Sequence, residues 1–471
     1  MPGPIPFPPD IFEWLCEVNE EQDPNSCCEH EPTMTLPTPN KRPRHSSRNL
    51  NEDADMTPRP AHSLYFAPST TASLPSTMTD SRTSSPTKQM QGLDLMKEGV
   101  EWRQIDMHSI PITVRPIIRR LRKIDKCIHM LPRSLAPLLK PVLRDAEPNG
   151  GDDDVDDDED DDTDRIFSSS EQEHDISLLP GRIPESRLLQ RLVSRAKRLR
   201  DEDHEEAAWN AEVHSCLLAA VFRPDDYDDS KSKSNSPTRN KNKNPVADDD
   251  DGESTPPPPL PPLALDFTFA TTAKLHRDYK PIGPARSKMV DFVVHIDPTT
   301  EGPETRRRIK QLRLATGTQS VNPTSFNPLA KKPIVISIET KKPDVGSNQA
   351  QLQVGMWHAC HWKFLRTHAR GGPEALTTLG FLPGIVIEGH VWSFVFSTPK
   401  ERGDDDDDDD DDGNGEDEGN VTKKTVVWRF QRMGSTETLL GTYQIVSGLR
   451  FLASWAETKY WPWFRINVLA L

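Results

Sequence analysis

Residues 333–365 constrain the fold of this chain more than any other stretch. The segment begins with an apolar run in which Ile334, Ile336 and Ile338 recur at every second position, and this alternation predicts a β-strand with two distinct faces. A short polar turn follows, and then an apolar stretch long enough for a helix. A buried strand joined directly to a helix favours an α/β fold, in which other strands must cover both edges of this one.

The second face of the predicted strand ends in charged side chains. Glu339 and Lys341 leave the same face about 6.6 Å apart, because successive strand residues rise about 3.3 Å. A carboxylate and an ammonium at this spacing suit a metal ligand and a cation that orients water. Glu-x-Lys alone is a weak motif, since the chain repeats it at Glu457-Thr458-Lys459, at the end of the last predicted helix.

A further carboxylate, Asp291, interrupts a second predicted strand over residues 288–296. Its neighbours Phe292 and Val294 are apolar, and a carboxylate in such a strand is costly to bury unless it is paired or binds a metal. Two carboxylates on neighbouring strands would suit Mg²⁺ or Mn²⁺, which prefer oxygen ligands. The local pattern alone leaves open an ion-pair cluster of Asp291, Glu339 and Lys341 without a metal.

Composition limits how much of the chain can fold. Only 34% of the residues are hydrophobic and 44 are prolines, which favours long disordered segments. Three acidic runs carry 28 negative charges, and without them the net charge changes from −16 to +12. The runs are Asp152 to Asp164, Asp248 to Glu253 and Asp404 to Glu418. The foldable part is therefore basic and suits a polyanionic partner. No stretch approaches 18 apolar residues, so we expect no membrane span.

These patterns predict four regions. We expect a disordered arm over residues 1–95, with a short amphipathic segment and a basic cluster, and a basic helical appendage over 96–145. An acidic linker should follow over 146–178. A folded domain should cover 180–471, with disordered inserts at 224–262 and 400–422. Its order of helices and strands predicts an α/β class with a mixed sheet.

Two features predict where the protein acts. Six cysteines lack the spacing of a disulfide framework or a zinc site, which is typical of an intracellular protein. The cluster Lys41-Arg42-Pro43-Arg44 fits a nuclear import signal, although a chance basic patch in a disordered arm fits the same residues. We therefore predict a nuclear location.

Five ordered motifs resemble the fungal PD-(D/E)XK nuclease-like family over residues 180–471. They are EAAWNAEVH at 206–214, KMVDFVV at 288–294, PIVISIETKKP at 333–343, AQLQVGMWHA at 350–359 and GTYQIVSGLRFLASWAETKYWPWF at 441–464. The resemblance implies a restriction-endonuclease-like core, which is a mixed central sheet flanked by helices. It also implies that Asp291, Glu339 and Lys341 are the motif residues, with Asp291 and Glu339 as metal ligands.

The resemblance implies two further site residues. Gln353 resembles the Gln of the Gln-x-x-x-Tyr motif in the exonuclease branch, with Trp357 in place of Tyr, and Glu206 stands where many members carry a helix acid. One departure is the connection between Asp291 and Glu339, which at 47 residues is long.

The predicted function is Mg²⁺- or Mn²⁺-dependent hydrolysis of phosphodiester bonds in nucleic acid, with DNA favoured over RNA. Two alternatives stay open. One is a catalytically inactive relative that binds nucleic acid or acts as a scaffold, and the other is a protein that binds basic proteins through its Asp runs. The presence of Asp291, Glu339 and Lys341 together favours the nuclease.

Overall fold

A mixed sheet of seven strands forms the centre of the protein. The computed structural model describes residues 85–146, 164–223, 264–280, 289–343, 346–400 and 423–471. The strands are β1 (Val100–Gln104), β2 (Ala264–Phe269), β3 (Phe292–Asp297), β4 (Ile334–Lys341), β5 (Leu382–Glu388), β6 (Val391–Lys400) and β7 (Lys424–Ser435). Their order is β1-β7-β6-β5-β4-β3-β2. The pairs β1/β7 and β4/β5 are parallel, and the other neighbours are antiparallel.

Helices cover this sheet, which confirms the predicted α/β class. They are α1 (Pro86–Asp94), α2 (Arg115–Asp125), α3 (Ala136–Ala146), α4 (Glu173–Leu178), α5 (Ser186–Asp201), α6 (Glu206–Trp209), α7 (Ser215–Phe222), α8 (Pro303–Ala315), α9 (Ser347–His368), α10 (Gly372–Leu379), α11 (Leu439–Trp455) and α12 (Trp461–Asn467). The π-helical turns Asn210–His214 and Ala456–Tyr460 join α6 to α7 and α11 to α12. Across the described residues, no helix combines the length and the hydropathy that a membrane span requires.

Strand β4 lies inside the sheet, between β3 and β5, and both of its faces are covered. The isoleucine face is buried in the main core, as the alternation predicts, but Val335 and Ser337 on the other face are buried as well. Helix α9 packs over that second face, where the His358 ring lies 2.6 Å from the Ser337 hydroxyl. Glu339 lies on this second face, which α9 covers, and its side chain is therefore fully buried.

Gly384 allows α9 to approach the sheet this closely. It pairs with Ser337 in the parallel register of β4 and β5. A Cβ atom at this position would lie 3.1 Å from the His358 ring and 3.0 Å from the Val395 side chain. A larger residue would push the helix away from the strand that carries Glu339, because neither neighbour can give way easily in a packed core.

The predicted appendage at 96–145 is instead part of the sheet. Strand β1 extends the sheet in parallel register with β7, pairing Trp102 with Val427. Helix α2 packs against β7 with Ile117, Ile118 and Leu121 fully buried. A five-residue strand has too little periodicity to detect, and its partner lies more than 300 residues away along the chain.

Two other predicted boundaries also move. The end of the predicted arm folds as α1, where Met90 and Leu93 are buried, and the end of the predicted linker folds as α4 after a buried Phe167. Residues 1–84 and 147–163 lie outside the described residues, as do the predicted inserts at 224–262 and 400–422 apart from Lys400. The acidic runs therefore fall almost wholly outside the described part of the chain.

The aromatic C-terminal segment is helical. The sequence predicts a helix over 442–458 followed by an aromatic tail, but the chain continues through the second π-helical turn into α12. Trp461, Trp463 and Phe464 are buried, since large rings close the core at this side. The second Glu-x-Lys tripeptide, Glu457 to Lys459, lies in that π-helical turn and not on a strand.

Candidate active site

Three chain segments bring four charged side chains to one end of the sheet. Glu339 and Lys341 lie at the C-terminal end of β4, and Asp291 directly precedes β3. The antiparallel register pairs Phe292 with Ile338, and the Asp291 amide donates to the Ile338 carbonyl at 3.0 Å. Asp291 consequently stands across from Glu339. Glu206, the first residue of α6, approaches from a separate helical layer.

The Lys341 ammonium connects two of the carboxylates. Its Nζ atom lies 2.5 Å from Glu339 Oε1 and 3.2 Å from Glu206 Oε2. Burial acts to lower the pKa of Lys341, but the carboxylates of Glu339, Glu206 and Asp291 outweigh it and raise that pKa. Lys341 is thus held as a cation beside the acids.

Glu339 is the most strongly perturbed acid of the group. Its side chain is 0% exposed, and burial, followed by repulsion from Asp291, raises its pKa well above the usual range despite the neighbouring Lys341. One oxygen, Oε2, is buried and has no hydrogen-bond partner among the described residues. An unsatisfied buried carboxylate oxygen is costly, so this atom marks a position where a cation or water would stabilise the site.

Asp291 is oriented by Thr340, a residue that the sequence interpretation missed. Asp291 Oδ2 accepts hydrogen bonds from the Thr340 amide and the Thr340 hydroxyl, both at 2.9 Å. Thr340 is the middle residue of Glu-x-Lys. Strand alternation places it on the opposite face from Glu339 and Lys341, so the motif does not predict a role for it. The only available signal was a hydroxyl residue at the strand end that faces the predicted Asp291 strand.

Contacts at both ends of its helical segment position Glu206. Lys342 Nζ lies 2.9 Å from Asp203 Oδ1, which ties the loop before α6 to the end of β4. In the first π-helical turn, the His214 ring lies 3.1 Å from the Gly389 carbonyl in the turn between β5 and β6. Burial, the larger influence, and repulsion from Asp291 raise the pKa of Glu206, while Lys341 acts to lower it.

Gln353 and Trp357 have different surroundings. Gln353 on α9 donates to the Met289 carbonyl at 2.9 Å and accepts from Gln349 at 3.0 Å, so it supports the segment that carries Asp291. Trp357 is fully buried in the main core. The structure therefore brings Gln353 to the edge of the site and leaves Trp357 as a packing residue.

A cleft of about 490 Å³ opens beside the end of β4. It is lined by Arg200, Pro343, Gly346, Ser347, Glu388, His390, Val391 and Glu437. Glu388 pairs with Lys341 in the register of β4 and β5, which places the cleft next to the four charged side chains. The four charged side chains themselves line neither this cleft nor a larger cavity of about 680 Å³. The larger cavity, lined by Arg103, Lys400 and Trp428 among others, is at the opposite end of β6.

The donor set fits a hard divalent ion that keeps water ligands. Among the described residues, no group of three or more His, Cys, Asp and Glu side chains is placed to hold a metal by itself. Asp291 and Glu339 nevertheless offer carboxylate oxygens from adjacent positions, and the unpartnered Oε2 of Glu339 is available. One or two carboxylates completed by water and substrate oxygens are typical of Mg²⁺ sites.

The comparisons with known proteins agree with this architecture. The family model of the PD-(D/E)XK nuclease superfamily matches residues 151–461, which is more than half of the chain. The match begins earlier than the predicted domain start at 180 and ends before the C-terminus. No curated protein and no solved structure shows a significant match. With the mixed sheet, the carboxylates on neighbouring strands and this match, the chain belongs to the PD-(D/E)XK nuclease superfamily.

Proposed function

We propose that this protein is a nuclease that uses Mg²⁺ or Mn²⁺ to hydrolyse phosphodiester bonds in nucleic acid, with DNA favoured over RNA. The observation that carries the proposal is the convergence of Glu206, Asp291, Glu339 and Lys341 at one end of the sheet. Membership of a nuclease superfamily whose members typically use divalent metals supports it. The basic cluster at residues 41–44, outside the described residues, supports a nuclear location as part of the proposal.

Each side chain has a distinct task in this proposal. Asp291 and Glu339 would hold the ion, which when bound would polarise a phosphoryl oxygen and lower the pKa of a water ligand. Lys341 is placed to orient the attacking water or to stabilise charge that develops on the phosphate. Glu206 is a second carboxylate partner of the Lys341 ammonium besides Glu339, and Thr340 fixes the carboxylate of Asp291.

Cleavage assays with the full-length chain test the activity. We expect degradation of plasmid, linear duplex or single-stranded DNA in Mg²⁺ or Mn²⁺ and none in EDTA. Glu339→Gln should abolish it, because the amide removes a metal ligand. Glu457→Gln, in the matching tripeptide on the π-helical turn, is the control and should retain wild-type cleavage. Equal activity of the two variants would show that the site is misassigned, and metal binding without cleavage would favour the inactive, binding-only relative.

Thermal unfolding tests the metal ligands separately. We expect Mg²⁺ or Mn²⁺ to raise the melting temperature of the wild-type chain, because the ion relieves repulsion between Asp291 and Glu339 in the folded state only. A ligand present at 100 times its Kd adds about 2.7 kcal/mol to the free energy of unfolding. Asp291→Asn and Glu339→Gln should each remove the increase. A metal-induced increase of normal size in both variants would contradict the assignment.

A further inference from the structure

Helix α5 carries a row of arginines on its exposed side. Arg187, Arg191, Arg195 and Arg198 follow one another at intervals of three or four residues, so they lie on one side of the helix. We call these four residues the arginine stripe. The apolar side of the helix packs into the protein through residues that are at most 1% exposed: Leu189, Leu192, Ala196 and Leu199. All four arginines are exposed. The core therefore does not require positive charge at these positions.

The charges of the arginine stripe are poorly compensated. Arg198 pairs with Glu212, and Arg195 lies 3.9 Å from the Cys216 sulfur. Within the part of the chain that the structure describes, the side chains of Arg187 and Arg191 make no hydrogen bond or ion pair. Like charges four residues apart on a helix destabilise it by about 0.2–0.5 kcal/mol per pair. A bound polyanion would turn this repulsion into attraction.

Helix α5, which carries the arginine stripe, ends near the candidate active site. Arg198 faces Glu212, and Arg195 approaches Cys216, so α5 runs antiparallel to the segment that begins at Glu206. At the C-terminal end of α5, Arg200 lines the cleft beside β4 and is paired with Glu437. The helix rises about 16 Å from Arg187 to Arg198. Residues at positions i and i+4 are about 6 Å apart along its axis. Arg200 follows Arg198 by two residues, about 200° further around the helix, so it leaves a different side of α5 from the stripe. The stripe therefore extends toward the end of α5 that borders the cleft, but its own arginines do not line the cleft.

We propose that the arginine stripe on α5 binds the phosphate backbone of duplex DNA and guides the strand into the cleft beside Glu339 and Lys341. The guiding role rests on the proposed nuclease function, whereas the binding role does not. Arginine suits this task because its planar guanidinium donates paired hydrogen bonds to phosphate oxygens. Contacts of this kind position a duplex without reading its sequence, so binding by the stripe should be independent of base composition.

Binding measurements with the full-length chain in EDTA test the surface without cleavage. Arg187→Gln/Arg191→Gln removes two charges from the stripe. Arg306→Gln/Lys310→Gln is the matched control, because both residues are exposed on α8, which follows the opposite end of β3. Fluorescence anisotropy of a labelled random-sequence duplex is recorded over a range of salt concentrations. The stripe variant should bind more weakly, with a slope of log K against log salt reduced by about 1.8, or about 0.9 per phosphate contact. The control should keep the wild-type slope.

The outcomes separate this inference from the nuclease proposal. If the stripe variant and the control bind duplex DNA equally, or if the wild type binds none, the stripe is not a backbone-binding surface, whether or not the protein cleaves DNA. If the stripe variant loses binding but the wild type cleaves nothing in Mg²⁺ or Mn²⁺, the surface is supported and the nuclease proposal fails. The same measurement is made with single-stranded DNA. If the stripe variant lowers the slope of log K against log salt for the single strand only, by about 0.7 per contact, the choice of duplex DNA is overturned. Unchanged melting temperatures show that the variants fold.

Discussion

Lys341→Ala should slow nucleic-acid cleavage about 10²–10³-fold while the metal-induced increase in melting temperature persists. The ammonium is not a metal ligand, but it is the cation that contacts Glu339 at 2.5 Å and Glu206 at 3.2 Å. Its loss removes the group that orients water or stabilises charge on the phosphate. Removal of one such stabilising group typically slows the chemical step about 10²–10³-fold. Single-turnover cleavage rates and thermal unfolding with and without Mg²⁺ measure the two effects independently.

Two comparisons make this prediction specific. Lys459→Ala changes the same position of the matching tripeptide and should leave cleavage unchanged, because that lysine lies in the π-helical turn near the C-terminus. Asp291→Asn combined with Lys341→Ala should be little slower than either single variant, since groups that act as one unit do not contribute additively. Wild-type cleavage by Lys341→Ala, or equal losses in Lys341→Ala and Lys459→Ala, would remove Lys341 from the proposed mechanism.

Mild acid should unfold the protein, because four histidines among the described residues are deeply buried as neutral rings. They are at most 3% exposed: His214, His295, His358 and His361. Burial lowers the pKa of His214 and His295 to about 4, and that of His358 and His361 to about 3. His358 contacts the Ser337 hydroxyl through one ring nitrogen, and the other has no partner among the described residues. Protonation of such a ring would place an uncompensated charge in the core.

The direction of the pH dependence follows from these shifts. Between the lowered pKa values and the unfolded value of 6.5, the unfolded chain binds more protons than the folded protein, so stability falls as the pH falls through this range. Each histidine contributes about 1.4 kcal/mol per pH unit, and four contribute on the order of 5 kcal/mol per pH unit. Typical domains are stable by about 5–15 kcal/mol, so unfolding should begin well above pH 4.

Substitution of one buried histidine tests this account. His358→Gln should reduce the slope of unfolding free energy against pH by about 1.4 kcal/mol per pH unit below pH 6.5. His174→Gln changes an exposed ring and is the control. Urea unfolding at a series of pH values provides the slopes, which are informative even if His358→Gln lowers stability at every pH. Protonation of Glu339, whose pKa is raised, acts in the opposite direction in all three proteins and cancels in the comparison. Identical slopes would contradict a neutral, buried His358.

Local pattern was sufficient for the elements that carry most of the candidate site. Alternating isoleucines predicted β4 at almost its observed bounds, and the apolar stretch after it predicted α9, because burial imposes the period of each element on its residues. Spacing placed Glu339 and Lys341 on one face. Glu206, by contrast, came from the family resemblance alone, since a helix acid beside a tryptophan has no pattern that distinguishes it from a solvated surface residue.

The periodicity of nearby residues does not predict which strands pair across the sheet or in which register. The sequence by itself determined that β4 is a buried strand ending in a carboxylate and an ammonium, because that information lies in residues two apart. Only the tertiary structure decided that Asp291 stands opposite Glu339, that Thr340 orients it and that Lys341 bridges to Glu206. Strand register and the docking of a helix join residues 49 to 135 positions apart. Such contacts depend on the packing of the whole core, which short-range periodicity does not encode.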